Sequence, residues 1–86
     1  INPKIADYHY NLANMLFASD KLKEAIVEYN KAVSLNPLDS DIYRNLGIAY
    51  IATGEISKAK EILTDLKKMN PEKAKQLETF LAGNNK

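Results

Sequence analysis

Three Asn-Pro pairs divide the sequence at equal intervals, at Asn2-Pro3, Asn36-Pro37 and Asn70-Pro71. The prolines lie 34 residues apart, and a fixed period of this length indicates an internal repeat. Proline lacks the N–H that a continuing helix needs and pushes the preceding residue out of the α region, so each pair marks a helix boundary. The spacing predicts one repeat over residues 3–36, a second over 37–70 and the start of a third.

Each repeat has the pattern of two amphipathic helices. In the second repeat the i, i+3, i+4, i+7 spacing of one helix face occurs twice, at Tyr43, Leu46, Gly47 and Tyr50 and then at Ala59, Ile62, Leu63 and Leu66. Gly54 lies between the two patterns and suits the left-handed conformation of a tight turn. The first repeat has Ser19-Asp20-Lys21 there, without a glycine. No sustained two-residue alternation suggests a strand, so the predicted fold class is all-α.

Short turns make each helix pair antiparallel, and such pairs bury their apolar faces by stacking into a solenoid. Ala13 and Gly47 are predicted to let the second helix of each repeat approach closely, with Ala25 and Ala59 as the reciprocal small residues. Asp39 or Ser40 is predicted to cap a helix. Residues 71–83 are predicted to form a capping helix with an apolar face of Leu77, Phe80 and Leu81, followed by a tail over 84–86. The whole of 1–86 is predicted to be one domain.

Composition argues against several classes of function. The net charge is +1, so no general electrostatic attraction draws the chain to nucleic acid or to anionic lipid. The longest uncharged apolar stretch is far shorter than the ~20 residues that span a bilayer. There is no cysteine, the three glycines form no phosphate-binding cluster, and the one histidine, His9, falls on a buried stripe. We therefore predict no enzyme activity, no metal or other cofactor, and neither a nucleic acid nor a membrane as partner.

Period and residue pattern together resemble the tetratricopeptide repeat family, whose unit is a 34-residue helix–turn–helix. The residues that carry the resemblance in the second repeat are Tyr43, Leu46, Gly47, Tyr50, Gly54, Ala59, Leu63, Leu66 and Pro71. Those in the first are His9, Leu12, Ala13, Leu16, Ala25, Tyr29, Ala32 and Pro37. The departures are His9 in place of an aromatic residue, Asp20 in place of the turn glycine, and Leu66 in place of an alanine. The resemblance implies a right-handed solenoid of two such units plus the capping helix.

The resemblance also implies a binding site, because the first helices of stacked repeats in this family line a concave groove. The residues that fall there are Tyr10, Asn11, Asn14, Phe17, Asp41, Arg44, Asn45, Ile48, Ile51, Lys75 and Thr79. An asparagine amide both donates and accepts hydrogen bonds, so it suits the main chain of an extended peptide. The alternative is that these asparagines only bond locally. The implied function is non-catalytic binding of a peptide or helix of another protein.

Two further hypotheses concern the partner. Some members of the family clamp the acidic C-terminus of heat-shock chaperones, and Asn14, Asn45 and Lys75 fit that clamp. Tyr10 and Thr79 stand where it uses Lys and Arg, and acidic neighbours at Asp41 and Glu78 are expected to screen the basic residues, so we expect this hypothesis to fail. The rival to groove binding is a self-assembling scaffold, a homo-oligomer that pairs through an open N-terminal edge.

Overall fold

The structure is a computed structural model that describes residues 3–84. It contains five helices, which are α1 (Pro3–Ala18), α2 (Leu22–Leu35), α3 (Ser40–Ala52), α4 (Ile56–Met69) and α5 (Pro71–Asn84). Helix α1 packs on α2 and α3 packs on α4, while α3 also contacts α2 and α5. The predicted all-α helical-repeat fold is confirmed. The predicted tail over residues 84–86 lies mostly outside the described residues.

Asn36 and Asn70, the asparagines of the second and third Asn-Pro pairs, each end a helix. The N–H of Asn36 donates to Ala32 O at 2.8 Å, and the N–H of Asn70 donates to Leu66 O at 2.8 Å. Asn70 also starts α5, because its side chain accepts from the N–H of Lys73 at 3.1 Å and the proline after it occupies the first helical position. At the other junction Asp39 is the cap, and its side chain accepts from the N–H of Asp41 at 3.0 Å.

The turns inside the two repeats have the same geometry. Gly54 has φ +81° and Asp20 has φ +63°, so both lie in the left-handed region. Around Gly54, the N–H of Glu55 donates to Tyr50 O and that of Gly54 donates to Ile51 O, which is a Schellman motif. The same two bonds recur around Asp20. The aspartate therefore occupies the position for which glycine is preferred.

Exchanging the residues of these two turns should change stability in opposite directions. We expect Gly54→Ala to lower the free energy of unfolding by about 1 kcal/mol, because a Cβ there meets nothing within 4 Å and only backbone strain remains. We expect Asp20→Gly to raise it by up to about 1 kcal/mol, since relief of strain outweighs the added freedom of the unfolded chain. Urea unfolding of both variants measures the changes, and equal signs would contradict this account.

The core lies between the helix pairs and is lined by many small side chains. Seven alanines are at most 1% exposed, namely Ala6, Ala13, Ala25, Ala32, Ala49, Ala59 and Ala74. They let the helices approach closely around the four largest fully buried side chains, Ile42, Leu46, Leu66 and Leu77. Tyr43 and Leu81 are partly buried and pack against this core from its edge.

Gly47 makes room for the capping helix α5 as well as for the paired helix α4 that was predicted. A Cβ on Gly47 would lie 2.6 Å from Leu77 Cδ2 and 3.3 Å from Ile62 Cγ2. The closest neighbour is therefore α5, which belongs to the next unit, and not the paired helix α4. Because Gly47 has no side chain, Leu77 of the capping helix can pack directly against α3.

One packing prediction was wrong in detail. Phe80 is 37% exposed, because the buried face of α5 is set by Ala74 and Leu77, and Phe80 is turned to its side.

Candidate functional site

A shallow open cavity lies between α1 and α3, with α2 beneath it. It has a volume of about 180 Å³ and is lined by Asn14, Phe17, Tyr29, Asn45 and Ile48. Both α1 and α3 pack closely on α2, but they approach each other much less closely. The space between them forms the cavity, which we call the groove cavity. Four of its five lining residues are among those predicted for the groove.

Polar side chains bridge α1 and α3 across the groove cavity. The Nδ2 of Asn45 on α3 donates to the hydroxyl of Tyr10 at 2.9 Å and to Oδ1 of Asn14 at 3.2 Å. The same Oδ1 of Asn14 accepts from the hydroxyl of Tyr29 on α2. Nε of Arg44 donates to Oδ1 of Asn45 at 3.3 Å. We call the set of Tyr10, Asn14, Tyr29 and Asn45 the asparagine network.

The hydrogen bonds of the asparagine network determine which of the two asparagine side chains can bond to a ligand in the groove cavity. Both amide ends of Asn45 are engaged within the protein. Asn14 uses its Oδ1 twice, whereas its Nδ2 has no partner within residues 3–84. No described side-chain N or O atom is both fully buried and without a partner, so this Nδ2 keeps some contact with solvent. Asn45 is therefore bonded locally, and Asn14 presents a donor to the groove cavity.

Tyr29 is the lining residue that the sequence analysis named only as part of the repeat pattern and did not place in the groove. It is 2% exposed, and its ring centroid lies 6.1 Å from that of Tyr10. Burial, and after it the neighbouring Tyr10, raises the pKa of Tyr29 to about 12, so the hydroxyl remains a donor. A tyrosine on an apolar stripe needs a partner for its hydroxyl, and that requirement was a signal that it borders a polar site.

The other residues predicted for the groove are dispersed. Ile51 is 5% exposed and belongs to the core, because it lies on the side of α3 that turns inward. Asn11, Lys75 and Thr79 are exposed. The hydroxyl of Thr79 donates to the backbone oxygen of Lys75 within the same helix at 3.0 Å.

Asp41 ties the basic residues of α3 and α5 together. It pairs with Nζ of Lys73 and, at 3.6 Å, with the guanidinium of Arg44. The hydrogen bond from Lys73 in particular holds the pKa of Asp41 below its ordinary value. Arg44 also donates to Oε1 of Gln76 at 3.1 Å. The predicted screening of Arg44 by Asp41 is confirmed.

The predicted screening of Lys75 was wrong. Glu78 pairs with Lys67 on α4 at 3.5 Å, because Lys67 lies across the α4–α5 interface from it.

On the far side of α1, Nδ1 of His9 lies 2.7 Å from Oε1 of Glu28, and this hydrogen bond is the main cause that lowers the pKa of Glu28. Within residues 3–84 no group of three or more candidate side chains is placed to hold a metal ion. None of the described helices combines the length and apolarity needed to cross a membrane.

Two family models match the chain. One, described as TPR repeat, covers residues 13–54, and the other, described as Tetratricopeptide repeat, covers residues 40–73. Both models describe the same type of repeat, the tetratricopeptide repeat. Their matches overlap across α3, which holds Asn45, and together they extend from α1 into the start of α5.

Several curated proteins are similar in sequence. BBSome complex member BBS4 of Xenopus tropicalis is 41% identical over 74% of this chain and 12% of its own length. The Bos taurus protein of the same name is 37% identical over 81% of this chain and 14% of its length. The Hsp70-Hsp90 organizing protein of Triticum aestivum is 38% identical over 62% of this chain and 9% of its length. The chain thus spans less than a sixth of each of these relatives.

Proposed function

Because the chain belongs to the tetratricopeptide repeat family, it is a protein–protein interaction module, and we propose that its groove cavity holds an extended segment of a partner protein. Repeats of this family are non-catalytic interaction modules in general. The position and chemistry of the groove cavity support the narrower proposal. The residues that carry it are Asn14, Phe17 and Ile48, with Tyr10 and Asn45 as the residues that orient Asn14.

The observation that carries the proposal is an open cavity with a fixed hydrogen-bond donor at its wall. Oδ1 of Asn14 accepts from Tyr29 and from Asn45, so turning the amide over would break the bond from the Asn45 amide and reverse the bond with the Tyr29 hydroxyl. Nδ2 is therefore presented to a ligand at no further cost in ordering the side chain, which favours binding. Main-chain carbonyl groups of a peptide are suitable acceptors for it.

The apolar walls of the groove cavity suit one side chain of the same segment. Phe17 on α1 and Ile48 on α3 are partly buried, and both line the groove cavity. A volume of about 180 Å³ is comparable to the roughly 150 Å³ apolar cavity that accepts a benzene ring in another protein. We propose that a leucine-sized or phenylalanine-sized side chain enters here while the flanking carbonyl bonds to Asn14.

The charges around the groove cavity disfavour a strongly acidic segment. Arg44 and Lys73 are both paired with Asp41, and only Lys75 adds a positive charge on that side without an ion pair in the described part of the chain. The wheat relative is named for organising Hsp70 and Hsp90, and the frog and cattle relatives for membership of the BBSome complex. The paired charges favour a partner held by apolar and neutral polar contacts over an acidic chaperone tail.

A selected peptide tests the proposal, since the partner is not needed for it. A displayed library of linear peptides is selected on the immobilised chain, and the best peptide is titrated by calorimetry into the wild type and two variants. Asn14→Asp keeps both acceptor bonds inside the asparagine network but removes the outward donor. Asn45→Ala removes the side chain that orients Asn14. We expect each to weaken binding by about two- to tenfold, which corresponds to one lost hydrogen bond of about 0.5–1.5 kcal/mol.

The control is Asn30→Asp on α2, which makes the same chemical change at an exposed asparagine whose Nδ2 donates to Ile26 O and to the Tyr50 hydroxyl and which does not line the groove cavity. It should bind the peptide as the wild type does. Raising the salt concentration should change the affinity little, because Arg44 and Lys73 are already paired with Asp41 and only Lys75 is left to attract an acidic segment. Unchanged binding by Asn14→Asp would show that the peptide lies elsewhere. A steep loss of affinity with salt would favour the acidic-tail hypothesis instead.

A further inference from the structure

An apolar stripe runs along the side of α1 that faces away from the groove cavity. It consists of Ile5, Tyr8, Leu12 and Met15, whose i, i+3, i+7, i+10 spacing places them on one face of the helix over more than two turns. Ile5 is 46%, Tyr8 63% and Met15 68% exposed, and Leu12 is half-buried. We call these four residues the α1 stripe. Three of the six large hydrophobic residues that are most exposed in residues 3–84 belong to it.

The second repeat uses the same register for helix packing. Ile42, Leu46 and Ala49 on α3 stand 34 residues after Tyr8, Leu12 and Met15. They are at most 1% exposed, and α3 packs there on the preceding helix α2. The α1 stripe therefore has the residue types and spacing of a helix–helix interface, but no described residue covers it.

We propose that the α1 stripe is the interface of a weak homodimer, in which α1 of one copy packs antiparallel on α1 of a second copy. In that arrangement Ile5 lies opposite Met15 of the other copy, and Tyr8 lies opposite Leu12. Each apolar residue then meets another apolar residue, as a two-fold symmetric interface requires. The proposal concerns the opposite side of α1 from the groove cavity and does not depend on peptide binding.

Charge and polarity favour a second copy of α1 over the other exposed helix surfaces of this chain. Helix α1 carries one lysine and one aspartate, Lys4 and Asp7, so pairing two copies adds no net repulsion. The outer side of α5 presents Lys75, Gln76, Glu78 and Thr79. Packing that surface on the α1 stripe would bury charged groups against apolar ones, which is unfavourable. Head-to-tail stacking of copies is therefore disfavoured, and the assembly closes at the dimer.

The size of the α1 stripe determines how strongly two copies of the chain are expected to dimerise. One stripe of four side chains is smaller than the roughly 800 Å² per partner of a standard stable interface. We expect reversible dimerisation with a Kd on the order of 100 µM or tighter. The near-neutral net charge of +1 gives no long-range repulsion that would prevent it.

Sedimentation equilibrium from about 10 µM to 1 mM measures the association of the whole chain. The wild type should fit a monomer–dimer equilibrium. Met15→Glu and Tyr8→Glu each place two charges in the interface and should raise the Kd at least tenfold. The control is Val27→Glu, which charges an apolar residue of similar exposure, 52%, on α2, and it should dimerise as the wild type does. Circular dichroism confirms that each variant keeps its helix content, which is expected because the changed side chains are exposed.

Cross-linking tests the antiparallel geometry. The chain has no cysteine, so Ile5→Cys and Met15→Cys introduce unique thiols. After mixing and mild oxidation, mass spectrometry should find the mixed disulfide of the two variants in excess over either symmetric one. A monomer at 1 mM would overturn the proposal and leave the α1 stripe to an occupant other than a second copy of this chain. So would assembly beyond a dimer, predominant symmetric disulfides, or a Val27→Glu variant that disrupts the dimer as strongly as Met15→Glu.

Discussion

Leu46→Ala should lower the free energy of unfolding by about 2–5 kcal/mol, because a large buried side chain is removed and the cavity left behind collapses only in part. Leu46 is 1% exposed and lies in the middle of α3, the helix that contacts α2, α4 and α5. A domain of 86 residues has a total stability of roughly 4–13 kcal/mol at typical values per residue. The substitution therefore removes a large share of it.

Urea unfolding followed by circular dichroism measures the effect of Leu46→Ala, with the midpoint expected to fall and the slope to stay similar. Val27→Ala is the matched control, since it also shortens an aliphatic side chain within a helix, but at a 52% exposed position. It should change stability by less than about 0.5 kcal/mol. A loss below about 1 kcal/mol for Leu46→Ala would mean that the helices around α3 rearrange to fill the space.

The periodic part of the sequence predicted the fold well because the Asn-Pro pairs and the apolar stripes act locally. Asn70 caps α5 and ends α4 through bonds that span only three or four residues, and Gly54 adopts the expected left-handed conformation. Errors appeared where the outcome depended on how units stack. Gly47 contacts α5 ahead of α4, and Phe80 turns out of the core, because both depend on the rotation of the capping helix.

The groove cavity was predictable in its members but not in its bonding. Spacing placed Asn14 and Asn45 near each other, on facing helices. It did not show that both Oδ1 and Nδ2 of Asn45 form hydrogen bonds within the protein. Nor did it show that the hydroxyl of Tyr29 on α2 donates a hydrogen bond to Asn14. Whether two side chains form a hydrogen bond depends on differences of less than 1 Å in the distance between donor and acceptor. Helix periodicity does not resolve such differences.

Tyr29→Ala should cost about 3–5 kcal/mol of stability, the range for removing a buried aromatic side chain. The ring is 2% exposed and lies under the groove cavity next to Tyr10. The loss combines an unfilled space in the core with the loss of the hydroxyl that holds Asn14. Urea unfolding measures it, and peptide binding should be lost as well, because the groove cavity no longer has a floor.

Tyr29→Phe separates the ring from the hydroxyl. It keeps the buried ring and removes one hydrogen bond, while Oδ1 of Asn14 still accepts from Asn45. We expect a loss of only about 0.5–1.5 kcal/mol, with peptide affinity reduced less than in Asn14→Asp, since the outward donor remains. If Tyr29→Phe proved as destabilising as Tyr29→Ala, the stability would depend on the hydroxyl and its partners. The asparagine network would then be a structural element of the fold, and the case for Asn14 as a pre-oriented ligand donor would have to rest on the binding data alone.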